Sequence, residues 1–274
     1  MPICDDRATV EPTFDSSLCV RDGLCARVCP TGRLAQQNDE PPRRLVDLRC
    51  LDCGHCVAVC ATGAMSQGDE KPLPNGWRLD AEKVNHLLMG RRSIRVFRED
   101  PLSRETIAAM IQAAQYAPSP HNTQPLAWTV ISKPADIHRI AEATVTWMRQ
   151  SIAAGSPMAV AFGMEKIVGD WERGIDGICR RAPHLIVAHA PATLPNGPHT
   201  AAIALTYLDL AAQPLGAGTC WAGFVFVGAG ASPGVLAALA LPAGQHCAGV
   251  VMAGHPAVEY RRIPKRNQPR IEWR

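Results

Sequence analysis

Seven cysteines and one aspartate between residues 19 and 60 follow two copies of a single spacing. The second copy is a complete C-x2-C-x2-C-x3-C run and consists of Cys50, Cys53, Cys56 and Cys60. The first copy keeps the spacing but has a carboxylate in its second position, and it consists of Cys19, Asp22, Cys25 and Cys29. Gaps of two residues let three consecutive ligands surround one iron–sulfur cube while the fourth points away. The spacing therefore predicts a small domain that carries iron–sulfur clusters.

Zinc and disulfides are the two alternative uses of such cysteines. Structural zinc prefers two C-x2-C pairs far apart, or one pair with histidines, and has no use for three ligands at two-residue gaps. Disulfides belong to exported chains, whereas the N-terminal sequence MPICDDRATVEP has early acidic residues and no apolar segment typical of a signal peptide. We therefore expect a cytoplasmic iron–sulfur protein, with zinc as the main alternative.

The composition of the remaining chain is that of an ordinary globular protein. The 274 residues, of which 47% are hydrophobic and 19% charged, suffice for the small domain and one domain of normal size. The net charge of +3 is too small to indicate nucleic acid or an anionic membrane as a partner. Residues 210–258 lack Asp, Glu, Lys and Arg, but Pro214, Pro233 and Pro242 divide them into pieces shorter than the roughly 20 apolar residues of a membrane span. No membrane segment is expected.

A polar, breaker-rich segment from Gly68 to Gly76 predicts a linker between domains at 1–70 and 77–274. From Trp77 onward, helical periodicity alternates with apolar runs. The predicted helices are 79–89, one from an N-cap at Ser103 to before Pro118, one beginning at Pro134, 200–212 and 234–240, and the predicted strands are 128–132, 184–189 and 247–253. This pattern indicates an α+β chain whose second domain is a mixed α/β layer fold, a central sheet flanked by helices.

Three segments of the second domain carry residues suited to a ligand. The first contains Arg91, Arg92, Ser93 and Arg95 within five residues. Guanidinium groups donate in a planar fork that matches phosphate oxygens, and a serine hydroxyl adds a compact donor. Alternatively, the arginines offset the C-terminal dipole of the preceding helix. Their number favours an anion site.

The other two segments are less specific. Residues 117–125 read APSPHNTQP, in which Asn122 and Gln124 each carry a donor and an acceptor, as the edge of a pyrimidine-like ring requires. A simple turn is the alternative. Residues 216–223 read GAGTCWAG, whose glycines would let backbone amides approach a flat ligand. A helix C-cap leading into a buried strand is the alternative here, and for this segment alone it is the preferred interpretation.

The three segments, in this order, match the pattern of the nitroreductase family of FMN-dependent oxidoreductases. The closing Gly254-His255-Pro256 and Pro264-Lys265-Arg266 match it as well, so residues 77–274 as a whole resemble this family. The resemblance implies a homodimer with one FMN in each of two clefts at the subunit interface. For the phosphate and ribityl end it implies Arg91, Arg92, Ser93, Arg95, Lys265 and Arg266. For the flavin ring it implies Ser119, Asn122, Gln124, Thr219, Cys220 and Trp221.

The N-terminal repeat resembles the bacterial ferredoxin with two 4Fe-4S clusters across residues 12–68. In such ferredoxins the fourth cysteine of each run serves the other cluster. The resemblance therefore implies cluster one at Cys19, Asp22, Cys25 and Cys60, and cluster two at Cys50, Cys53, Cys56 and Cys29. A carboxylate is a harder and weaker ligand for this iron than a thiolate. The iron at Asp22 should exchange easily or be absent, which leaves a 3Fe-4S form.

The two resemblances together predict a redox enzyme. Clusters move single electrons, whereas a flavin stores two and releases them as a hydride. We expect electrons from a low-potential donor to pass through two clusters to FMN and on to a small organic acceptor such as a nitro compound or quinone, without a catalytic side chain. A ferredoxin or NAD(P)H is the expected donor. The alternatives are an electron-transfer or redox-sensing protein with a protein partner, and a flavin enzyme that uses oxygen or modifies FMN.

Overall fold

The computed structural model of the protein describes residues 10–73 and 78–274. These residues form two compact units, of which the first holds the chain up to Arg78 together with Ser119–Gln124, and the second holds Leu79–Pro118 and Pro125–Arg274. The domain limits 1–70 and 77–274 stay a prediction. The described residues do not include the first nine residues, the end of the predicted linker at residues 74–76, or Trp77.

The first unit is built from two copies of one motif. Each copy contains a short helix, α1 (Leu24–Arg27) in the first and α2 (His55–Val59) in the second. Each helix follows a glycine in the left-handed region, Gly23 at φ 71° and Gly54 at φ 68°, which glycine adopts without steric cost. The repeat of the sequence is thus a repeat of the backbone.

Two short antiparallel pairs complete the first unit. Strand β1 (Thr13–Phe14) pairs with β4 (Met65–Ser66), and β2 (Leu34–Ala35) pairs with β3 (Arg43–Arg44). The hydrophobic core cluster of this unit consists of the buried residues Cys25, Leu34 and Met65, against which Cys29, Cys56 and Cys60 pack, among others. So small an apolar core gives little burial energy, since burial scales with apolar area. Thiols form a large part of this core.

The second unit contains a four-stranded antiparallel sheet. The strand order is β5 (Ala127–Ile131), β6 (His184–Pro191), β8 (Gln245–Gly254) and β7 (Gly218–Trp221). The two inner strands, β6 and β8, are almost entirely buried. A sheet covered on both faces requires continuous apolar strands rather than alternating ones, and this is why the apolar runs of the sequence located these strands.

Successive residues of β6 enter two different cores. Leu185 and Val187 belong to one core, and Ile186 and Ala188 belong to the other, because successive side chains of a strand point to opposite faces. Helices α4 (Arg104–Ala114) and α8 (Gly197–Ala212) contribute to the second core. The first core receives α5 (Pro134–Ala153), α6 (Pro157–Ala161), α7 (Met164–Glu172), α9 (Gly223–Ala231) and α10 (Pro233–Ala238). The predicted central sheet flanked by helices is confirmed.

The helix starts follow their capping residues. Ser103 accepts a hydrogen bond from the Thr106 N–H at 3.1 Å and begins α4, as predicted. Helix α3 (Ala81–Gly90) begins two residues later than predicted because Asp80 is its N-cap and accepts from the Lys83 N–H at 3.0 Å. Within the described ranges, no helix is both long and apolar enough to cross a membrane.

Helix α9 was missed by the sequence analysis. Its sequence GFVFVGAGA has no polar face and three glycines, so neither helical periodicity nor propensity indicates a helix. It forms because it packs against β8 and the helices α5 and α10, where an apolar surface on all sides is favourable. Tertiary packing overrides propensity at this point.

Candidate functional site

Four cysteines line one cavity of the first unit. They are Cys29, Cys50, Cys53 and Cys56. The cavity thus joins the last cysteine of the first copy to the first three of the second copy, which is the set predicted for cluster two. None of the cysteines in the described residues forms a disulfide. Four free thiols around a shared space fit an iron–sulfur cluster, whose irons bind cysteine thiolates.

The thiols that end the two copies have matching environments. Burial raises the pKa of the Cys29 thiol, but hydrogen bonds from the Leu34 backbone and from Thr31 outweigh it and leave the pKa below its usual value. Cys60 shows the same balance of burial against hydrogen bonds and also has a lowered pKa. In contrast, burial raises the pKa of Cys56 to about 11. Since a metal binds the thiolate, the predicted role of Cys56 as a cluster ligand would require the loss of a tightly held proton.

The ligands predicted for cluster one are less complete. Burial raises the pKa of Cys25, and the nearby charges of Cys19 and Asp22 raise it further, so these three side chains are neighbours. One Asp22 oxygen accepts from the Leu24 N–H at 3.1 Å, at the start of α1. Among residues 10–73 and 78–274, no group of three or more His, Cys, Asp or Glu side chains is placed to hold a single metal ion. Iron binding by Asp22 stays a prediction.

The predicted flavin loop at residues 119–124 is grouped with the first unit. The Asn122 side-chain amide donates to the Asp52 carbonyl at 2.8 Å and to the Leu51 carbonyl at 3.4 Å, between two cluster-two cysteines in the sequence. His121, Asn122 and Gln124 have φ of 52°, 53° and 42°. Such left-handed backbone is sparsely populated and costs on the order of 1 kcal/mol per residue. The flavin role of Ser119, Asn122 and Gln124 stays a prediction.

In the second unit, three segments that are far apart in the sequence converge. The Ile94 N–H donates to the Thr219 carbonyl of β7 at 2.9 Å. Further along, the Arg98 N–H donates to the His255 carbonyl at 2.9 Å, and the Ala257 N–H donates to the Val96 carbonyl at 3.0 Å. The arginine segment therefore lies beside both the GTCW strand and the Gly254-His255-Pro256 turn, as their shared assignment to one site requires.

One carboxylate holds the first arginine of the segment. Arg91 Nη1 lies 3.0 Å from Asp209 Oδ2, and the Thr219 hydroxyl donates to Asp209 Oδ1 at 2.5 Å. The side chains of Arg91 and Asp209 are 31% and 18% exposed. Asp209 was missed by the sequence analysis, although it is the only residue among Asp, Glu, Lys and Arg in α8, and a lone charge on a largely buried helix is a usable signal.

Arg92 has a different role from Arg91. Its Nε donates to the Gly90 carbonyl at 3.3 Å and its Nη2 donates to the Met89 carbonyl, so the guanidinium binds the C-terminal carbonyls of α3. This is the contact that the dipole alternative describes. Its predicted contact with a phosphate stays a prediction.

Cys220 lies among charged groups beside the same segment. Burial raises the pKa of its thiol, while the positive charges of Arg95 and Arg180 and a hydrogen bond from Ser93 oppose the shift. Arg180 was missed, and no motif marks it; its φ of 55° in a non-glycine residue is visible only in the structure. The structure therefore brings together Arg91, Ser93, Arg95, Thr219 and Cys220 and adds Asp209 and Arg180.

The glycines of the third segment serve the backbone and packing. Gly216, at φ 71°, ends a short 3-10 helix ahead of the buried strand β7, as the C-cap alternative predicted. A Cβ on Gly218 would lie 2.3 Å from Ile94 Cγ1, so the absent side chain makes room for the arginine segment. Trp221 is partly exposed and packs edge-on against Phe226. Lys265 and Arg266 lie in the exposed C-terminal tail.

Comparison with known protein families identifies the class. The model of the nitroreductase family matches residues 88–255, which is more than half of the chain, and that of the 4Fe-4S dicluster domain matches residues 11–61. The chain belongs to the nitroreductase family and carries an N-terminal 4Fe-4S dicluster domain. Both predicted resemblances are confirmed.

Individual relatives are similar over limited ranges. The nitroreductase NfnB of Mycolicibacterium smegmatis is 44% identical over 75 residues, which are 27% of this chain and 32% of that protein, so the match spans about a third of the relative. A nitroreductase with bound FMN from Bacteroides fragilis aligns at TM-score 0.54 and 20% identity, over 69% of this chain and 99% of that one. Another with bound FMN, from Desulfitobacterium hafniense, aligns at TM-score 0.54 and 21% identity, over 71% and 100%. These likenesses establish the fold.

Proposed function

We propose that the protein is an FMN-dependent oxidoreductase that takes electrons from a low-potential donor, conducts them through two iron–sulfur clusters to FMN, and delivers them to a small organic acceptor such as a nitro compound or a quinone. The observation that carries this proposal is the cavity shared by Cys29, Cys50, Cys53 and Cys56. An enzyme of this family that carries its own cluster domain has an internal relay for single electrons between an external donor and the flavin.

The second unit offers a binding site that suits FMN. Arg91, fixed by Asp209, retains donors that Asp209 does not use, since a guanidinium has five N–H groups. Ser93 and Arg95 lie beside it, around Cys220. Phosphate is the natural partner of such paired guanidinium groups. The FMN bound in the related structures from Bacteroides fragilis and Desulfitobacterium hafniense supports the same assignment.

The loop at residues 119–124 belongs to the cluster unit, although the chain on both sides of it belongs to the second unit. When bound, the clusters would carry single electrons and FMN would collect two for transfer as a hydride. Asn122 holds this loop to the backbone between Cys50 and Cys53. The chain continues from the loop through Pro118 and Pro125 into the flavin-binding unit. Asn122 thus binds a segment that is continuous in sequence with the proposed flavin-binding unit to the backbone around cluster two.

In this proposal the residues of the second unit bind and orient FMN, and none of them is assigned an acid, base or nucleophile role. Burial raises the pKa of Cys220, so the thiol stays protonated and unreactive at neutral pH.

We propose a homodimer because Ile271 and Trp273 of the extended C-terminal tail are 60% and 88% exposed, and a second copy would cover them. A cytoplasmic location stays a prediction.

A second candidate function is electron transfer to another protein. A cleft of about 750 Å³ in the second unit is lined by Lys83, His86, Arg261 and Arg262, and none of the described residues in its lining is acidic. Such a basic cleft suits an acidic protein, because complementary charge steers association. In this case the partner protein would replace the small organic acceptor.

The deciding experiment begins with an oxygen-free preparation in which iron, sulfide and flavin are counted per chain. Steady turnover of a nitroaromatic or quinone by the reduced protein supports the proposal. Cys53→Ser should abolish turnover from an iron–sulfur donor and leave the flavin content unchanged, and Cys179→Ser, in the core of the second unit, is the matched control. Clusters and flavin without turnover of any small acceptor, but with rapid electron exchange with an acidic redox protein, would favour the second candidate.

A further inference from the structure

The two halves of the first unit differ at one position that bears on the clusters. Cys19 corresponds to Cys50, a shift of 31 residues, and the same shift relates Arg33 to Ala64. Arg33 lines the four-thiol cavity. Ala64 is buried and has no side-chain donor. The cavity assigned to cluster two therefore has the guanidinium of Arg33 in its wall, whereas the equivalent position of the other half, Ala64, has no guanidinium.

Two contacts fix the Arg33 guanidinium and leave its Nε–H without a partner among the described residues. Nη1 donates to the Leu45 carbonyl at 2.5 Å, and Nη2 donates to Glu11 Oε1 at 2.7 Å. The side chain is 16% exposed. Its Nε is buried and has no hydrogen-bond partner among the described residues. A buried N–H is almost always satisfied in native proteins, so the missing partner requires an explanation.

We propose that Arg33 Nε–H donates a hydrogen bond to a sulfur atom of cluster two and thereby raises the reduction potential of that cluster. Hydrogen bonds to cluster sulfurs are among the features that set the potential. A donor stabilises the more negative, reduced state more than the oxidised state, because a charged acceptor strengthens the bond. The inference rests on the proposed presence of two clusters. It adds a directional role, since a raised potential at cluster two draws electrons from cluster one to cluster two.

The test is an anaerobic redox titration of the full-length protein, followed by electron paramagnetic resonance. Arg33→Met should shift the midpoint potential of cluster two to a more negative value and leave that of cluster one in place. Asp22→Cys assigns the two signals, because it changes a ligand of cluster one alone. Iron and sulfide counts on the same samples show whether both clusters are present. A wild-type protein without iron would refute the proposed function itself, whereas full clusters with unchanged potentials refute only the role of Arg33.

Two matched variants separate the hydrogen bond from charge. Arg44 lines the same cavity and lies 3.6 Å from the same Glu11 carboxylate, so Arg44→Met removes an equal charge and should shift cluster two less than Arg33→Met does. Arg33→Lys keeps the charge but lacks the planar Nε–H, and it should also lower the potential. If Arg33→Met fails to retain clusters, the lysine variant carries the test. Equal shifts for Arg33→Met and Arg44→Met, or a wild-type potential in Arg33→Lys, overturn the proposal.

Discussion

Asp209 on α8 binds the guanidinium of Arg91 at 3.0 Å, and its other oxygen accepts the Thr219 hydroxyl. A helix, a strand and the arginine segment are thus joined through one carboxylate. Because both partners are partly buried, the pair is better defined than an exposed ion pair, which contributes little. It fixes the orientation of Arg91, for which we propose a contact with the FMN phosphate.

Arg91→Ala should weaken FMN binding. A hydrogen bond to a charged group contributes about 1.5 to 3 kcal/mol. Converted from a free energy into an affinity ratio, its loss should raise the FMN dissociation constant by about tens to hundreds of fold. Fluorescence titration of flavin-depleted protein measures it. Arg98→Ala, which removes an exposed arginine paired with Asp100, should leave the affinity at the wild-type value. Equal flavin content in both variants after gel filtration would contradict the assignment of Arg91.

Asp22→Cys should make cluster one more robust. The substitution supplies a thiolate, a better iron ligand than a carboxylate, and it loses the hydrogen bond from the Leu24 N–H, worth about 1 kcal/mol. We expect a stronger four-iron signal and slower loss of iron to a chelator. Identical paramagnetic resonance spectra before and after the substitution would show that residue 22 does not contact iron.

Gly218→Ala should destabilise the second unit. The new Cβ would lie 2.3 Å from Ile94 Cγ1, and overpacking of this kind costs about 1 to 3 kcal/mol. Thermal unfolding should show a lower midpoint, and flavin retention should fall because the arginine segment is displaced. Gly223→Ala is the control, since its Cβ would meet nothing within 4 Å. The double variant Gly218→Ala/Ile94→Ala should recover part of the loss, and a fully stable single variant would refute the packing account.

His184→Gln should reduce the loss of stability at acidic pH. Burial, followed by the nearby charge of His255, lowers the pKa of His184 from its ordinary value of 6.5, and its Nε2 accepts from the Leu102 N–H at 2.9 Å. Below pH 6.5 the unfolded ring therefore binds a proton that the folded ring does not, and folding weakens until the pH reaches the lowered pKa. Denaturant titrations across this range measure the slope. The exposed His199→Gln should keep the wild-type slope, and an equal slope in both variants would contradict the prediction.

The sequence predicted those helices and strands that depend on the residue pattern within one short segment of the chain. Ser103 and Pro134 mark helix starts through side-chain capping and a fixed φ, and both starts are confirmed. The inner strands were found because burial on both faces makes them continuously apolar. The cysteine spacing carried the resemblance to two-cluster ferredoxins, and that resemblance implied the four cysteines that line the cavity.

The features that were missed depend on distant contacts. Asp209 belongs to the arginine site only because α8 packs beside β7, and Arg180 only because the fold brings it near Cys220. The contact between Asn122 and the Asp52 carbonyl joins residues 70 positions apart in the chain. No spacing rule relates such residues, and only tertiary structure shows them.

The sparse apolar core of the first unit has a consequence for how the protein is made. Cys25 lies inside that core, and Cys29, Cys56 and Cys60 pack against it, so we expect binding of the proposed clusters and folding of the first unit to be coupled. A cell short of iron would therefore produce chains whose first unit is unfolded and sensitive to proteases, rather than folded molecules that lack only the clusters. Iron supply would then regulate the abundance of the protein through quality control as well as through its redox capacity.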